Sequence, residues 1–202
     1  MTDRFLYDYL LTQPVLMPQA GASASVFHQV VPKGQYLYKP GDPLGHMYVI
    51  EQGVVKIGSY TAAGERAVYD VLQPGETLGD LDYLQGGIEF FEFAKAVTSA
   101  RVLALERTLF KHLIVHDPVV SEWFNRTIVR RWWKAETRLL LTRGDVEARL
   151  ASLRREYDRP VMDSSGRAHN TFDLLSHQDL ADLTGTTRQT IAKKMKGIVK
   201  PA

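Results

Sequence analysis

The chain has 202 residues, 45% hydrophobic and 24% charged, with a formal net charge of +2. That composition fits a globular protein of one large or two small domains, and it leaves any contact with a polyanion to local clusters of cations. There is no cysteine, which excludes disulfides, thiolate catalysis and all-cysteine iron–sulfur clusters. No apolar run approaches a membrane span and the first residues lack a signal-peptide layout, so the expected location is cytoplasmic, with no membrane partner.

Residues 3–12 read as a short helix with Phe5, Leu6, Tyr9 and Leu10 on one side. From Val26 to Leu105 the texture changes to short strands rich in Val, Ile, Tyr and Phe: FHQVV, QYLYK, MYVIEQG, VVKIGSY, AVYDVL, FEFAKAV and ARVLALE. Turn residues fall between them, at Pro32-Lys33-Gly34, Pro40-Gly41-Asp42, Ala63-Gly64-Glu65, Pro74-Gly75 and Gly86-Gly87. Close strands with regular punctuation predict an antiparallel sandwich or jelly roll.

After Arg107 the apolar period becomes helical, first over Thr108 to Val115 and then over Pro118 to about Arg143. Pro118 suits the first turn, and a helix of about 26 residues spans roughly 39 Å. Val120, Phe124, Ile128, Trp132, Ala135 and Leu139 make one stripe, widened by Trp123, Val129, Trp133 and Leu140. So broad a stripe predicts one flank on the strands and one seam against the same helix of a second subunit. Arg143-Gly144-Asp145 ends the run, and Asp145 caps a further helix over Val146 to Tyr157. Met162 to Asn170 reads as a polar turn, and Phe172 to Leu175 as a short strand or turn.

The stretch Ser176 to Lys196, SHQDLADLTGTTRQTIAKKMK, carries the most specific signal. Ser176 and Asp179 have the spacing of a capping box, and Leu180, Ala181 and Leu183 give an apolar face. Gly185 suits the left-handed conformation that ends many helices. Thr187 can cap a second helix that buries Ile191 and Met195 and leaves Arg188, Gln189, Thr190, Lys193, Lys194 and Lys196 outward, without an acid. Two short helices about a glycine turn describe a helix-turn-helix. An ordinary helical hairpin with a solvated basic face is the plainer alternative.

The order of roll, long helix, hinge and helix-turn-helix resembles the CRP/FNR superfamily of bacterial transcription regulators over nearly the whole chain. The matching stretches are Gly41-Asp42 with Tyr48 to Val55, Pro74 to Leu81, Asp145 to Leu150, and Ser176 to Ile191, the last being the most specific. The resemblance implies an α+β fold: an N-terminal antiparallel β-roll (jelly roll) sensor over 1–117, a dimerisation helix over 118–143 and a helix-turn-helix domain over 144–202. The β-hairpin wing usual in the family is expected to be missing, since only Gly197 to Ala202 follow the second helix. The implied partners are double-stranded DNA, a second copy of the chain, and RNA polymerase. By position Arg188, Gln189 and Lys193 face base edges, while Ser176, His177, Gln178, Thr187 and Thr190 meet phosphates. Family members often carry glutamate at the Gln189 position, so a different half-site is expected.

The resemblance also places an effector pocket at Gly79, Asp80, Leu81, Phe90, Phe91, Lys134 and Ala135. Asp80 stands where the family has a ribose-binding glutamate, and Phe90-Phe91 where it has a phosphate-binding arginine and its neighbour. No arginine occurs between Arg66 and Arg101. A buried phosphate without its guanidinium is poorly paired, so a cyclic nucleotide is disfavoured. Phe90, Phe91 and Phe93 are expected to fill the pocket or face a less charged effector of unknown identity, unless they are simply core. No cofactor is implied with certainty. His112 and His116 have metal-compatible spacing but lack an evident third ligand, and no nucleophile–base pair or P-loop appears. A sensing module without DNA binding and a small β-roll enzyme are the rival readings.

Overall fold

The computed structural model describes Tyr9 and residues 25–81 and 91–198. The expected N-terminal helix (apart from Tyr9), the Gly86-Gly87 turn, Phe90 and the expected absence of a wing lie outside the described residues.

The strands in chain order are β1 (Val26–Val31), β2 (Tyr36–Tyr38), β3 (His46–Gln52), β4 (Val55–Tyr60), β5 (Arg66–Leu72), β6 (Thr77–Leu78), β7 (Phe93–Ala96) and β8 (Ala100–Glu106). They form two four-stranded antiparallel sheets, ordered β1-β8-β3-β6 and β2-β7-β4-β5. Both faces of each sheet are covered. Along β3, Tyr48 and Ile50 point into the roll with Val102 and Ala104 of β8. Met47 and Val49, with Leu103 and Leu105, point outward against the helices. This explains the near-continuous apolar runs MYVI and VLAL, where a sheet facing water on one side would alternate.

The helices are α1 (Arg107–His116), α2 (Pro118–Leu141), α3 (Val146–Tyr157), α4 (Thr171–Leu174), α5 (His177–Thr184) and α6 (Arg188–Ile198). Asp117 caps α2 by accepting from the amides of Val119 and Val120, with proline in the first turn. The first half of α2 sits with α1 on the outer face of the first sheet, where Phe110, Leu113, Val120 and Trp123 close an apolar core. Further along, Ile128, Val129, Trp132, Trp133, Leu139 and Leu140 are exposed.

Two stretches differ from the sequence expectation. Met162 to Asn170 is an antiparallel hairpin, β9 (Pro160–Met162) with β10 (Ala168–Asn170). Its turn is organised by Asp163, whose Oδ1 accepts from Ser165 N, Ser165 Oγ and Arg167 N while Oδ2 meets His169 Nε2 at 2.8 Å. Four partners on one side chain do what strand length does not. Phe172 to Leu175 is neither strand nor turn: Thr171–Leu174 is one helical turn capped by Asn170, whose Oδ1 accepts from Phe172 N.

Candidate nucleic-acid interface

Helix α5 starts at Ser176, whose side chain accepts from the amide of Asp179 while the Asp179 carboxylate accepts from the Ser176 amide and hydroxyl. This is the expected capping box. It ends at Gly185, which has φ +61° and accommodates the turn into α6. Thr187 Oγ1 accepts from Thr190 N, so it caps α6 as expected. Leu180, Ala181 and Ile191 are buried, which fixes the angle between the two helices. Arg188, Gln189 and Lys193 are exposed along α6, Thr190 is half-buried, and Ser176, His177, Gln178 and Thr187 are exposed beside them. Every member of the candidate set is therefore polar and at least partly exposed. The hydroxyl of Ser176 is already engaged with Asp179, and Gln178 Nε2 donates to Asp182.

The back of this unit is docked on the roll. Val54, Val68, Val71 and Phe93 on the outer face of the second sheet share a core with Leu150, Leu153, Tyr157, Val161, Phe172, Leu180 and Ile191. Gly58 permits the close approach on that sheet, because a Cβ there would lie 2.6 Å from the Phe93 ring. Charges surround the apolar patch. Lys56 Nζ lies 2.6 Å from Asp179 Oδ1, Arg66 lies 3.6 Å from it, and the Val68 amide donates to Asp182. Burial pushes the Asp179 carboxyl up, but Lys56 and Ser176 outweigh it and hold it below the usual range.

A second charged joint ties α2 to β5 and α3. Lys134 Nζ contacts Asp70 at 2.7 Å and Glu156 at 2.8 Å, and Arg138 Nη2 contacts the same two carboxylates at 3.0 and 2.9 Å. Arg138 also donates to Tyr157 OH, which donates to Asp70. Burial disfavours the charged Asp70, yet Lys134 and Arg138 hold its carboxyl below the ordinary value. Sequence reasoning missed Asp70, Arg138 and Glu156, because nothing local to any of them marks a partner 68 or 18 residues away.

Of the expected effector set, Phe90 lies outside the described residues. Lys134 and Ala135 line a cleft of about 950 Å³ between α2, α3 and the Gln73–Glu76 turn, whereas Gly79, Asp80 and Leu81 do not. Lys134 is committed to carboxylates, so it is not a free partner for a base. Phe91 is 58% exposed and fills nothing. Phe93 is buried, but on the outer face against the helices rather than inside the roll. The roll mouth instead holds Glu92, accepting from Tyr38 OH on Oε1 and Tyr69 OH on Oε2. The rings of His112 and His116 lie tilted with centroids 4.4 Å apart, and no group of three or more His, Cys, Asp or Glu among the described residues could hold a metal. Among the described residues, no helix is long and apolar enough to cross a membrane.

Residues 28–117 match the cyclic nucleotide-binding domain family. The chain is 26% identical over 165 residues to the CRP-like cAMP-activated global transcriptional regulator of Mycobacterium tuberculosis, covering 81% of this chain and 73% of the relative. It is 27% identical over 197 residues to the global nitrogen regulator of a Nostoc species, covering 89% and 86%. The crystal structure of FixK2 from Bradyrhizobium japonicum superposes with a TM-score of 0.67 at 19% identity, covering 86% and 84% of the two chains. Residues 28–117 thus carry a cyclic nucleotide-binding domain, and the chain as a whole, with the roll, the long helix and the helix-turn-helix in this order, is similar to CRP-like transcriptional regulators in sequence and to FixK2 in fold.

Proposed function

We propose that this regulator reads a near-palindromic DNA site as a homodimer, without ordinary cyclic-AMP recognition. Residues 1–117 would sense, 118–143 pair the subunits and 144–202 read DNA. RNA polymerase would be the further partner, and the cytoplasm the place of action. The observation that carries the reading is the exposed face of α6. Arg188, Gln189 and Lys193 stand outward on a helix anchored by buried Ile191, with no acid on α6. Arginine and lysine suit guanine and glutamine suits adenine in the major groove. The exposed Ile128, Val129, Trp132, Trp133, Leu139 and Leu140 on α2 support a seam between two copies. Two such subunits would place their α6 helices about 34 Å apart, in successive major grooves.

Selection from random duplexes tests this. The expected result is a two-fold symmetric site bound with steep salt dependence. Arg188→Ala should then weaken that site by about 5- to 150-fold, the range of one good base contact, and relax the preference at one position in each half-site. Enrichment of no site at all would leave the sensing module without DNA binding as the better reading.

A further inference from the structure

The mouth of the roll contains a carboxyl group that the chain itself supplies, and burial pushes its pKa above the ordinary value. Glu92 directly precedes β7 with a largely buried carboxylate, and its two oxygens accept from two tyrosines on different strands, Tyr38 of β2 and Tyr69 of β5. Tyr38 is buried in the roll interior and stacks on Tyr48, so its hydroxyl is held in place. Arg131 of α2 reaches the same region. Its Nη1 donates to the carbonyl of Thr77 at 3.1 Å, and its positive charge acts on Glu92, Tyr38 and Tyr69 together. Asp70 is the opposing charge nearby, and it is already neutralised by Lys134 and Arg138. Two hydroxyl donors from two strands make a site for a small carboxylate, and Arg138 Nη1 of α2 donates to the carbonyl of the same Tyr69 at 2.7 Å, which ties the site to the long helix. Here the site is filled.

We propose that Glu92 acts as an internal ligand, closing the joint between the roll and the long helix with its own carboxylate, so that the joint forms without a bound effector and a free anion is kept out. This rests on the reading of the chain as a DNA-binding regulator only for its consequence, which is DNA binding that needs no nucleotide. A phosphate entering this mouth would meet a resident carboxylate, a like charge in a poorly hydrated place. Removing that carboxylate while leaving Tyr38, Tyr69 and Arg131 in place should convert the mouth into an open receptor for a small anion.

The test is chemical rescue in the full-length protein, read by hydrogen exchange of the α2 amides around Arg131. Glu92→Ala should lower protection there by about 10- to 100-fold, the range for hydrogen bonds to a charged group, and acetate should restore it. Arg131→Ala should lose protection and not respond to acetate. Loss of protection in Glu92→Ala without any recovery in acetate overturns the proposal, since a merely structural glutamate is not replaced by a free ion. Should Glu92→Ala fail to fold, Glu92→Gln keeps the shape and removes the charge. Parent-like protection in that variant would also overturn the proposal. In parallel, the parent protein is titrated with its selected DNA with and without 3′,5′-cyclic AMP. Equal affinity is expected, and tightening by the nucleotide would refute an internally closed joint. The exchange readout needs no DNA, so failure to find a DNA site would sink the functional reading alone.

Discussion

The two sheets of the roll are covered on their outer faces in different ways. The first is covered by α1 and the start of α2 through an apolar core of Met47, Val49, Leu103, Leu105, Phe110, Leu113, Val120 and Trp123. The second is covered by α3 and the helix-turn-helix through an apolar centre bordered by ion pairs, Lys56–Asp179 on one side and Asp70 with Lys134, Arg138 and Glu156 on the other. Apolar contacts are non-directional and tolerate small shifts, whereas buried ion pairs have a definite geometry and penalise intermediate positions. The first joint therefore fixes a helix to the roll. The second gives the helix-turn-helix one well-defined seat whose stability depends on charge. That difference suits the proposed function, in which the surface of α6 is held in register while α2 stays in place.

The sharpest way to break the contrast is Asp70→Ala. It leaves Lys134 and Arg138 buried with Glu156 as the carboxylate they share, and losing one member of a buried charge cluster costs about 3–5 kcal/mol. The urea midpoint should fall accordingly with little change in slope. An unchanged midpoint would mean that Glu156 alone neutralises both cations and that the joint is no more charge-dependent than its apolar counterpart.

Asp179→Asn should act at the other edge with a smaller effect. The side chain caps α5 and pairs with Lys56. Loss of a cap costs about 1 kcal/mol, with somewhat more for the charge-assisted bond. The effect also has a pH signature. The folded-state pKa lies below the unfolded value of about 4, so the contribution is complete above that value and is lost as pH falls through the lower folded one. The parent and Asp179→Asn should therefore converge in stability in acid and diverge towards neutrality. A constant difference across that range would assign the effect to packing.

Much of this architecture is legible in the sequence, and the limits have physical causes. The strands declare themselves through Val, Ile and Tyr between Gly and Pro turns, and the α5 cap and turn through Ser176, Asp179 and Gly185, because each of these is a local rule. The hairpin at Pro160–Asn170 stays hidden since its strands have three residues each and its stability comes from Asp163. Phe93 reads as a pocket residue because alternation separates two faces of a strand without saying which is inside, and here both are buried. Glu92 and Asp70 are ordinary acids in the sequence. Only the fold brings Tyr38, Tyr69, Lys134 and Arg138 to them.

The smallest predicted effect lies where the seated and exposed helices meet. Gly185 joins α5, which is docked on the second sheet, to α6, which carries the proposed reading face. At φ +61° an alanine would be strained, but the space around it is open, with Arg149 Nη1 as the nearest atom at 3.8 Å. The cost should thus be the backbone penalty alone, about 1 kcal/mol, without the clash that a buried turn would add. Circular dichroism melting of Gly185→Ala should show that modest loss, and affinity for the selected DNA should fall only as far as the turn relaxes. A loss of several kcal/mol would place a neighbouring copy or the DNA domain's own packing against this turn. A neutral outcome would mean that α6 adjusts its angle freely, and then the seat on the second sheet, however well defined, would not set the register of the reading helix.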